Sequence, residues 1–299
     1  MDFSTFIHAV GTGPKGNRDL TFDESREMMR QMLTQEAAPE QIAAFLLGWR
    51  IKPETVTEFR GALSMMDEMS IRRPVAEETV ELGYPFDGKR RNPYIFPLVA
   101  EALAKSGLGL VVAGDNKQPA KDGITVKTIC ENMPLPANVY YFDRRDYLNP
   151  LHALTDIRMR LGLRTAFNTL EKLPGAAGSR TAVTGVFHKP YVRKYVEIFG
   201  DRYERFALLQ GNEGTPELFS KGRLWIAENG GIEEYIIDPA AYGIDYRKSW
   251  ERISGEESLG QLREPSEAFR KLAVLNAAVL LFIAGRAPEI GAAFEELNA

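Results

Sequence analysis

The spacing of apolar residues changes near residue 70, and this change constrains the fold more than any other feature of the 299-residue chain. Before it, apolar side chains recur at helical intervals. Met28, Met32 and Leu33 form one such stripe, and Phe45 and Trp49 belong to another. This spacing is typical of amphipathic helices that bury one face. Residues 1–69 are therefore predicted to form a small, all-helical domain.

From residue 70 onward, short strand-like runs alternate with helical segments. The strand candidates are 79–84, 109–113, 139–142, 182–187, 205–209, 224–227 and 234–237. Helices are predicted between them and at 265–284 and 288–297. Alternation of strands and helices is typical of a parallel sheet covered by helices. Residues 70–299 are therefore predicted to form a larger α/β domain with a mainly parallel central sheet.

Cysteine, histidine and apolar-run content exclude several classes of protein. Cys130 is the only cysteine, so no intrachain disulfide can form, and three histidines are too few to suggest a Cys/His zinc site. The first 20 residues lack the long apolar run of a secretory signal. The longest apolar run, 275–284, is too short to cross a bilayer. We expect a cytoplasmic protein that does not contact a membrane.

Charge is unevenly distributed along the chain. The net charge is −4, but residues 70–200 carry +6, whereas 1–69 and 201–299 carry −4 and −6. Exposed charges more than about 10 Å apart are largely screened at 0.1 M salt, so regional charge decides local contacts. The middle of the chain is therefore the part expected to contact a polyanion.

Seven basic side chains follow the first three predicted strands: Lys89, Arg90, Arg91, Lys117, Lys121, Arg144 and Arg145. Loops at the carboxyl ends of parallel strands face one crevice, so we expect these side chains to gather along one edge. Such a group would contact phosphates rather than base edges, which gives nucleic-acid binding without sequence choice. The alternative is an ordinary solvated surface, paired with neighbouring aspartates such as Asp115 and Asp143.

Other candidate motifs are weaker. Residues 11–16 read Gly-Thr-Gly-Pro-Lys-Gly, which fits the spacing of a phosphate-binding loop. That loop normally follows a strand and opens a helix, whereas here it follows a helix, and Pro14 removes one N–H donor. A flexible loop is therefore predicted. His8 and His188 are expected to be structural, and no residue is assigned a catalytic role.

Residues 158–173 carry a resemblance to a known family. They read Arg-Met-Arg-Leu-Gly-Leu-Arg-Thr-Ala-Phe-Asn-Thr-Leu-Glu-Lys-Leu. This is similar to Arg-Arg-Glu-Leu-Gly-Ile-Arg-Thr-Ile-Phe-Asn-Leu-Leu-Gly-Pro-Leu in the anthranilate phosphoribosyltransferases of glycosyltransferase family 3. Segments 41–52, 184–188 and 275–278 also match in order. The resemblance implies a phosphoribosyltransferase-like fold: a helical dimerisation domain at 1–69, with a later helical contribution near 150–175, and an α/β domain at 70–299.

The resemblance also implies an ancestral pocket, formed by Gly83, Asp87, Gly88, Gly114 and Arg158. Arg158 stands at the position of the family's anthranilate-contacting arginine. The family's pyrophosphate loop, Gly-Thr-Gly-Gly-Asp, is replaced at 83–88 by Gly-Tyr-Pro-Phe-Asp-Gly. Bulky residues there oppose the close approach of backbone donors to phosphates.

The family's magnesium site is also altered. An Asp-Glu pair holds the ion in the family, and here the pair reads Pro216-Glu217. Glu217 is the remaining carboxylate, and a magnesium–diphosphate site needs hard oxygen ligands. Magnesium is therefore expected only if transferase activity is retained, and no other cofactor is expected.

Two functions follow from these departures. The altered diphosphate loop and magnesium site resemble those of a divergent branch of the family. Members of that branch bind nucleic acid as homodimers without marked sequence preference, which implies a DNA- or RNA-binding protein. The alternative is a glycosyltransferase that moves a phosphoribosyl group to an anthranilate-like aromatic amine. A small-molecule ligand is compatible with either.

A homodimer is expected on separate grounds. Met28, Met32, Phe45, Trp49 and the 56–66 face present more apolar surface than four short helices can bury among themselves. An apolar patch of this kind marks an interface, and a two-fold dimer is the commonest closed solution.

Overall fold

The computed structural model describes residues 1–299, and its N-terminal part is built from four helices. They are α1 (Phe3–Gly11), α2 (Phe22–Leu33), α3 (Pro39–Ile51) and α4 (Val56–Met69). Helices α2 and α4 each begin with a reciprocal capping box, at Thr21–Glu24 and Thr55–Glu58. The side chain of the cap and that of the glutamate satisfy N–H groups that a helix start otherwise leaves unpaired. Local sequence therefore sets where both helices begin.

Three short helices from the middle of the chain complete the helical core. They are α8 (Asn149–Ala153), α9 (Thr155–Leu161) and α10 (Phe167–Leu170), and α9 packs on α3. Met28, Met32, Phe45 and Trp49 are fully buried within one chain, in an apolar core that also contains side chains of these three helices. The reason given above for a homodimer is therefore wrong, because these four side chains are core residues and face no partner.

A seven-stranded sheet forms the second domain. Its strands are β1 (Thr79–Gly83), β2 (Gly109–Gly114), β3 (Val139–Asp143), β4 (Thr181–Gly185), β5 (Arg205–Leu209), β6 (Gly222–Glu228) and β7 (Gly231–Ile237). The order is β3-β2-β1-β4-β5-β6-β7, and β1 to β5 are mutually parallel. The mainly parallel sheet is thereby confirmed. The loops that follow β1 and β4 lie side by side, because these two strands are central neighbours.

Strands β6 and β7 depart from the parallel pattern and form an antiparallel hairpin. Asn229 and Gly230, the two residues between them, both have positive φ, at 50° and 77°. Two-residue hairpin turns require this conformation, which Asn-Gly adopts readily. The turn therefore explains why the sheet ends in a hairpin rather than in further crossovers.

The remaining helices cover the sheet. They are α5 (Phe96–Ala102), α6 (Val126–Asn132), α7 (Arg144–Tyr147), α11 (Pro190–Phe199), α12 (Gly255–Arg263), α13 (Glu267–Ile283) and α14 (Ile290–Asn298). The longest, α13, packs against α5 and α14, and eleven of its 17 residues are buried. None of the helices combines the length and the apolar character that a membrane crossing requires.

Glu58 is a fully buried carboxylate at the centre of the helical domain. It accepts hydrogen bonds from the backbone N–H groups of Leu20 and Thr55, both at 2.8 Å, and from Trp49 Nε1 at 3.0 Å. The ammonium of Lys52 lies 2.9 Å from it. Glu58 thus ties the connector before α2 to the ends of α3 and α4.

Replacing Glu58 by alanine should lower the free energy of unfolding by about 3–5 kcal/mol, the range for removing one partner of a buried ion pair. The loss arises because three N–H donors are left without their acceptor and Lys52 keeps only its ion pair with Asp19. Urea unfolding followed by circular dichroism measures it. Glu24→Ala is the control, since it removes the capping-box glutamate of α2, whose partner Arg18 is half exposed, and should cost about 1 kcal/mol. Equal losses in the two variants would show that Glu58 has no special role.

Candidate functional site

A cleft of about 370 Å³ lies between the helical segments and the loops after β1 and β4. Asp87 comes from the β1 loop, and Phe187 and His188 from the β4 loop. The opposite wall includes Arg50 at the end of α3 and Tyr191 on α11. Ligands of open α/β sheets bind outside the carboxyl ends of the strands, so this cleft is the candidate site.

The predicted basic edge is only partly exposed. Lys89 and Arg144 are both 0% exposed, and each is ion-paired with carboxylates in the interior. The prediction that these two side chains contact nucleic acid is therefore wrong, because neither can reach a ligand at the surface. Lys121 is mostly enclosed as well, and it lines the cleft rather than the outer edge.

Four members of the predicted edge do reach the surface. Arg91 is exposed and Arg90 is half-buried, and neither forms an ion pair. Lys117 pairs with Asp122, and Arg145 lies 2.8 Å from Asp143. The Lys117–Asp122 pair is exposed, and such pairs contribute at most about 1 kcal/mol. Arg145 is half exposed although Asp143 is buried, so both cations stay accessible to a polyanion. For these four the phosphate contact stays a prediction.

Buried side chains fill the position where the resemblance places the diphosphate. The hydroxyl of Tyr84 donates to Glu217 at 2.9 Å, and the ammonium of Lys89 donates to the same carboxylate at 2.6 Å. The N–H of Ile95 donates to it at 2.8 Å. Burial lowers the pKa of Lys89 and, together with the adjacent Glu217 charge, raises that of Tyr84. The Glu217 carboxylate therefore accepts the hydrogen bonds of Lys89 and Tyr84. An external anion at this position would need these donors to be free.

The same contacts test whether magnesium could be held. Glu217 already accepts from three side chains, those of Tyr84, Lys89 and Thr215, and from one backbone N–H, and one of those partners is a cation. No cluster of three or more acidic, histidine or cysteine side chains exists that could hold a metal ion. A magnesium site needs several oxygen ligands with unshared coordination positions. The residues present do not fit the ion, and Glu217 does not act as a metal remnant.

Arg158 is likewise closed off by a carboxylate. It is 0% exposed and donates to both oxygens of Glu171, at 2.6 and 3.0 Å. Glu171 also pairs with Arg144, which reaches Asp115, and Asp115 lies 2.7 Å from the His152 ring. This chain of charges joins the end of β2 to α7, α8, α9 and the end of α10. Arg158 does not line the cleft, so the ligand contact that the resemblance implies is absent here.

Asp87 is the one predicted pocket residue that does line the cleft. Its carboxylate accepts from the Arg164 guanidinium and lies 3.4 Å from the Lys121 ammonium. Burial lowers the pKa of Lys121 to about 8. Gly88 lies beside this group. Its positive φ of 79° and the close approach of Ile124 O leave no space for a side chain, so the backbone requires glycine there. Gly83 and Gly114 likewise lie outside the cleft and permit close packing.

Three basic side chains of the cleft were not among the predicted site residues. They are Arg50, Lys172 and His188, and none of them forms an ion pair with a carboxylate. Lys172 is buried and donates only to Gly185 O and the Tyr195 hydroxyl, both at 3.3 Å. These residues come from three separate segments, so no local spacing could have identified them. Together they make the cleft attractive to an anion.

Comparisons with known proteins agree with this architecture. The helical bundle domain of a glycosyl transferase family matches residues 4–70, and the a/b domain of the same family matches residues 136–299. An uncharacterized protein of Aquifex aeolicus is 27% identical and aligns over 91% of this chain and 90% of its own length. The anthranilate phosphoribosyltransferase of Laribacter hongkongensis is 28% identical, over 89% of this chain and 85% of its own.

Solved structures show the same fold. Anthranilate phosphoribosyltransferase from Thermus thermophilus superposes with a TM-score of 0.75 at 20% identity, over 99% of this chain and 93% of its own. The Saccharomyces cerevisiae enzyme, in complex with PRPP and Mg, gives 0.76 at 13% identity, over 99% and 92%. The two domain matches span both ends of the chain, so the protein belongs to the glycosyl transferase family that joins a helical bundle to an a/b domain, of which the anthranilate phosphoribosyltransferases are relatives.

Proposed function

We propose that the protein binds nucleic acid along the cleft, without sequence preference and without glycosyl transfer. The observation that carries this proposal is a group of basic side chains without carboxylate partners around one cavity: the cations Arg50 and Lys172, with the His188 imidazole beside them. A buried ammonium such as Lys172 is costly unless an anion compensates it. A phosphate group supplies that compensation without requiring a metal ion.

Exposed aromatic side chains on the cleft rim support a single-stranded ligand. Phe187 is 49% and Tyr191 52% exposed, which is unusual for large apolar rings. Both line the cleft beside the unpaired cations. Aromatic faces stack on any base, so a groove that combines them with cations binds single strands without reading their sequence. The exposed edge cations Arg90, Arg91, Lys117 and Arg145 would extend the phosphate path.

Oligonucleotide binding should depend steeply on salt and little on sequence. If about three phosphates of a single strand are neutralised, the slope of log affinity against log salt is near −2, at about −0.7 per contact. Arg50→Glu/His188→Glu should abolish binding, because the Arg50 charge is reversed and a second carboxylate is placed in the cleft. Fluorescence anisotropy with labelled 20-residue oligonucleotides of different base composition measures both effects.

Two matched variants locate the binding path. Arg247→Glu/Lys271→Glu also introduces two carboxylates, at exposed positions outside the cleft, and should leave affinity nearly unchanged. Arg90→Glu/Arg91→Glu reverses charge on the predicted edge. If this edge variant abolishes binding and the cleft variant does not, the ligand lies on the edge and the cleft assignment is refuted.

Phosphoribosyl transfer to an aromatic amine is the second candidate. It is favoured by relatives named anthranilate phosphoribosyltransferase that align over about nine-tenths of this chain. The cleft also has the aromatic and cationic lining that an aromatic acid would need. It is opposed by the buried Tyr84–Glu217–Lys89 cluster, in which the Glu217 carboxylate is already bonded to donors of the chain and is not free to hold a metal ion.

Titration with phosphoribosyl diphosphate and magnesium separates the two candidates. We expect no magnesium-dependent heat in the micromolar range, because Lys89 and Glu217 satisfy each other. The Thermus thermophilus relative, measured in parallel by calorimetry, is the positive control. Micromolar, magnesium-dependent binding by this chain would contradict the proposal and restore the transferase assignment.

We also propose a homodimer, formed through a different surface from the one first predicted. Leu47 and Ile51 on α3 are 38% and 70% exposed, and Met159 and Leu163, on and just after α9, are 42% and 43% exposed. Since α3 and α9 pack together, these side chains can form one apolar patch. A two-fold axis through such a patch would close the assembly.

Leu47→Glu/Ile51→Glu should therefore convert a dimer into a monomer, because charges placed in an apolar interface are not solvated. Sedimentation equilibrium measures the mass. Ile232→Glu/Ile236→Glu, on the exposed side of β7, is the control and should leave the dimer intact. A wild-type mass of 33.5 kDa at all concentrations would refute the dimer.

A further inference from the structure

The Glu213 carboxylate occupies an anion-binding site formed by the backbone N–H groups of residues 90–92. The N–H groups of Arg90, Arg91 and Asn92 donate to the Glu213 carboxylate, at 2.8, 3.1 and 3.2 Å. Consecutive N–H groups that converge on one point form a concavity that binds anions, and phosphate is the commonest biological occupant. Glu213 therefore lies where a phosphate group would fit.

The anion site is held in shape by contacts that do not involve Glu213. The Asn92 side chain exchanges two hydrogen bonds with the Ser249 backbone, at 2.8 and 3.2 Å. The N–H of Ile253 donates to Arg90 O at 2.9 Å. These contacts hold residues 90–92 against the loop before α12. The three N–H groups would remain convergent if the Glu213 carboxylate moved away.

Glu213 itself is in an unfavourable conformation. Its φ of 54° and ψ of 24° lie in the left-handed region, which disfavours residues with a side chain. Its side chain is half-buried and borders two cavities. One is the cleft already described, and the other is lined by residues 210–213 and 248–250. Glu213 therefore lies at the border of both cavities and is within reach of solvent.

The second cavity, about 370 Å³, contains an exposed indole. Trp250 is 71% exposed, and the ammonium of Lys248 lies 4.7 Å from its ring centroid. Lys248 and Arg91 both line this cavity, and neither forms an ion pair with a carboxylate. An exposed aromatic face beside unpaired cations suits an aromatic ring that carries negative charge.

We propose that residues 90–92 and the Trp250 cavity form a binding site for a phosphorylated aromatic small molecule of the mononucleotide class. Its phosphate would replace the Glu213 carboxylate on the three N–H groups, and its base would stack on Trp250. Glu213 acts as an internal competitor, which the ligand displaces by rotation of one side chain. This site goes beyond the cleft function, because it uses neither Arg50, Lys172 nor His188.

Removal of the competitor tests the site. Glu213→Gly also relieves the left-handed backbone, and Glu213→Gln keeps the side-chain shape but not its charge. Both should bind adenosine 5′-monophosphate at least tenfold more tightly than the unaltered chain, by calorimetry. Glu251→Gln removes one exposed charge beside Trp250 and should show no gain. If Glu213→Gly does not fold, Glu213→Gln alone decides, and no gain in affinity overturns the proposal.

The indole supplies a second, independent readout. The other two tryptophans, Trp49 and Trp225, are buried, so quenching of fluorescence on titration should come from Trp250. In the Glu213→Gly background, Trp250→Phe should abolish the quenching and weaken the mononucleotide at least fivefold, while inorganic phosphate binds as before. Equal mononucleotide affinity with and without Trp250 overturns the stacking contact. Arg50→Glu/His188→Glu should leave mononucleotide binding unchanged, which separates this site from the cleft.

Discussion

The candidate site depends first on the buried ion pair between Lys89 and Glu217, which opposes the binding of a diphosphate. The two charged groups are 2.6 Å apart, and their side chains are 0% and 2% exposed. The Lys89 ammonium also lies over the Phe219 ring, 4.1 Å from its centroid. Breaking such a pair is strongly unfavourable, since it leaves an uncompensated charge in the interior. An incoming diphosphate would have to separate Lys89 from Glu217 and displace Tyr84 as well.

The same principle recurs elsewhere at the end of the sheet. Arg158 is neutralised by Glu171, and Arg144 by Glu171 and Asp115, so these buried guanidinium groups have carboxylate partners in the chain. Arg50 and Lys172, which line the cleft, have none. Buried charges after β1 and β2 therefore neutralise one another, whereas two cations of the cleft remain without a carboxylate.

The sequence predicted the two domains and most strands because these depend on local periodicity. Strands such as β5 are indicated by runs of apolar residues. Helices such as α6 are indicated by apolar residues at helical spacing. The environment of Lys89 could not be predicted, since its partner Glu217 lies 128 residues away. The Asn229-Gly230 pair is a local signal that could have predicted the antiparallel hairpin. The full burial of Met28 and Trp49 could not be predicted, since it depends on how separate helices pack, as Trp49 does between Phe45 and Phe59.

A crystal structure determined with magnesium and phosphoribosyl diphosphate in the mother liquor would show whether the Lys89–Glu217 pair excludes the diphosphate. We expect the Lys89 ammonium and the Glu217 carboxylate to remain in hydrogen-bond contact, with Tyr84 still donating to Glu217 and no metal density beside it. A magnesium ion about 2.0–2.1 Å from a Glu217 oxygen, with the diphosphate beside Ile95, would contradict it.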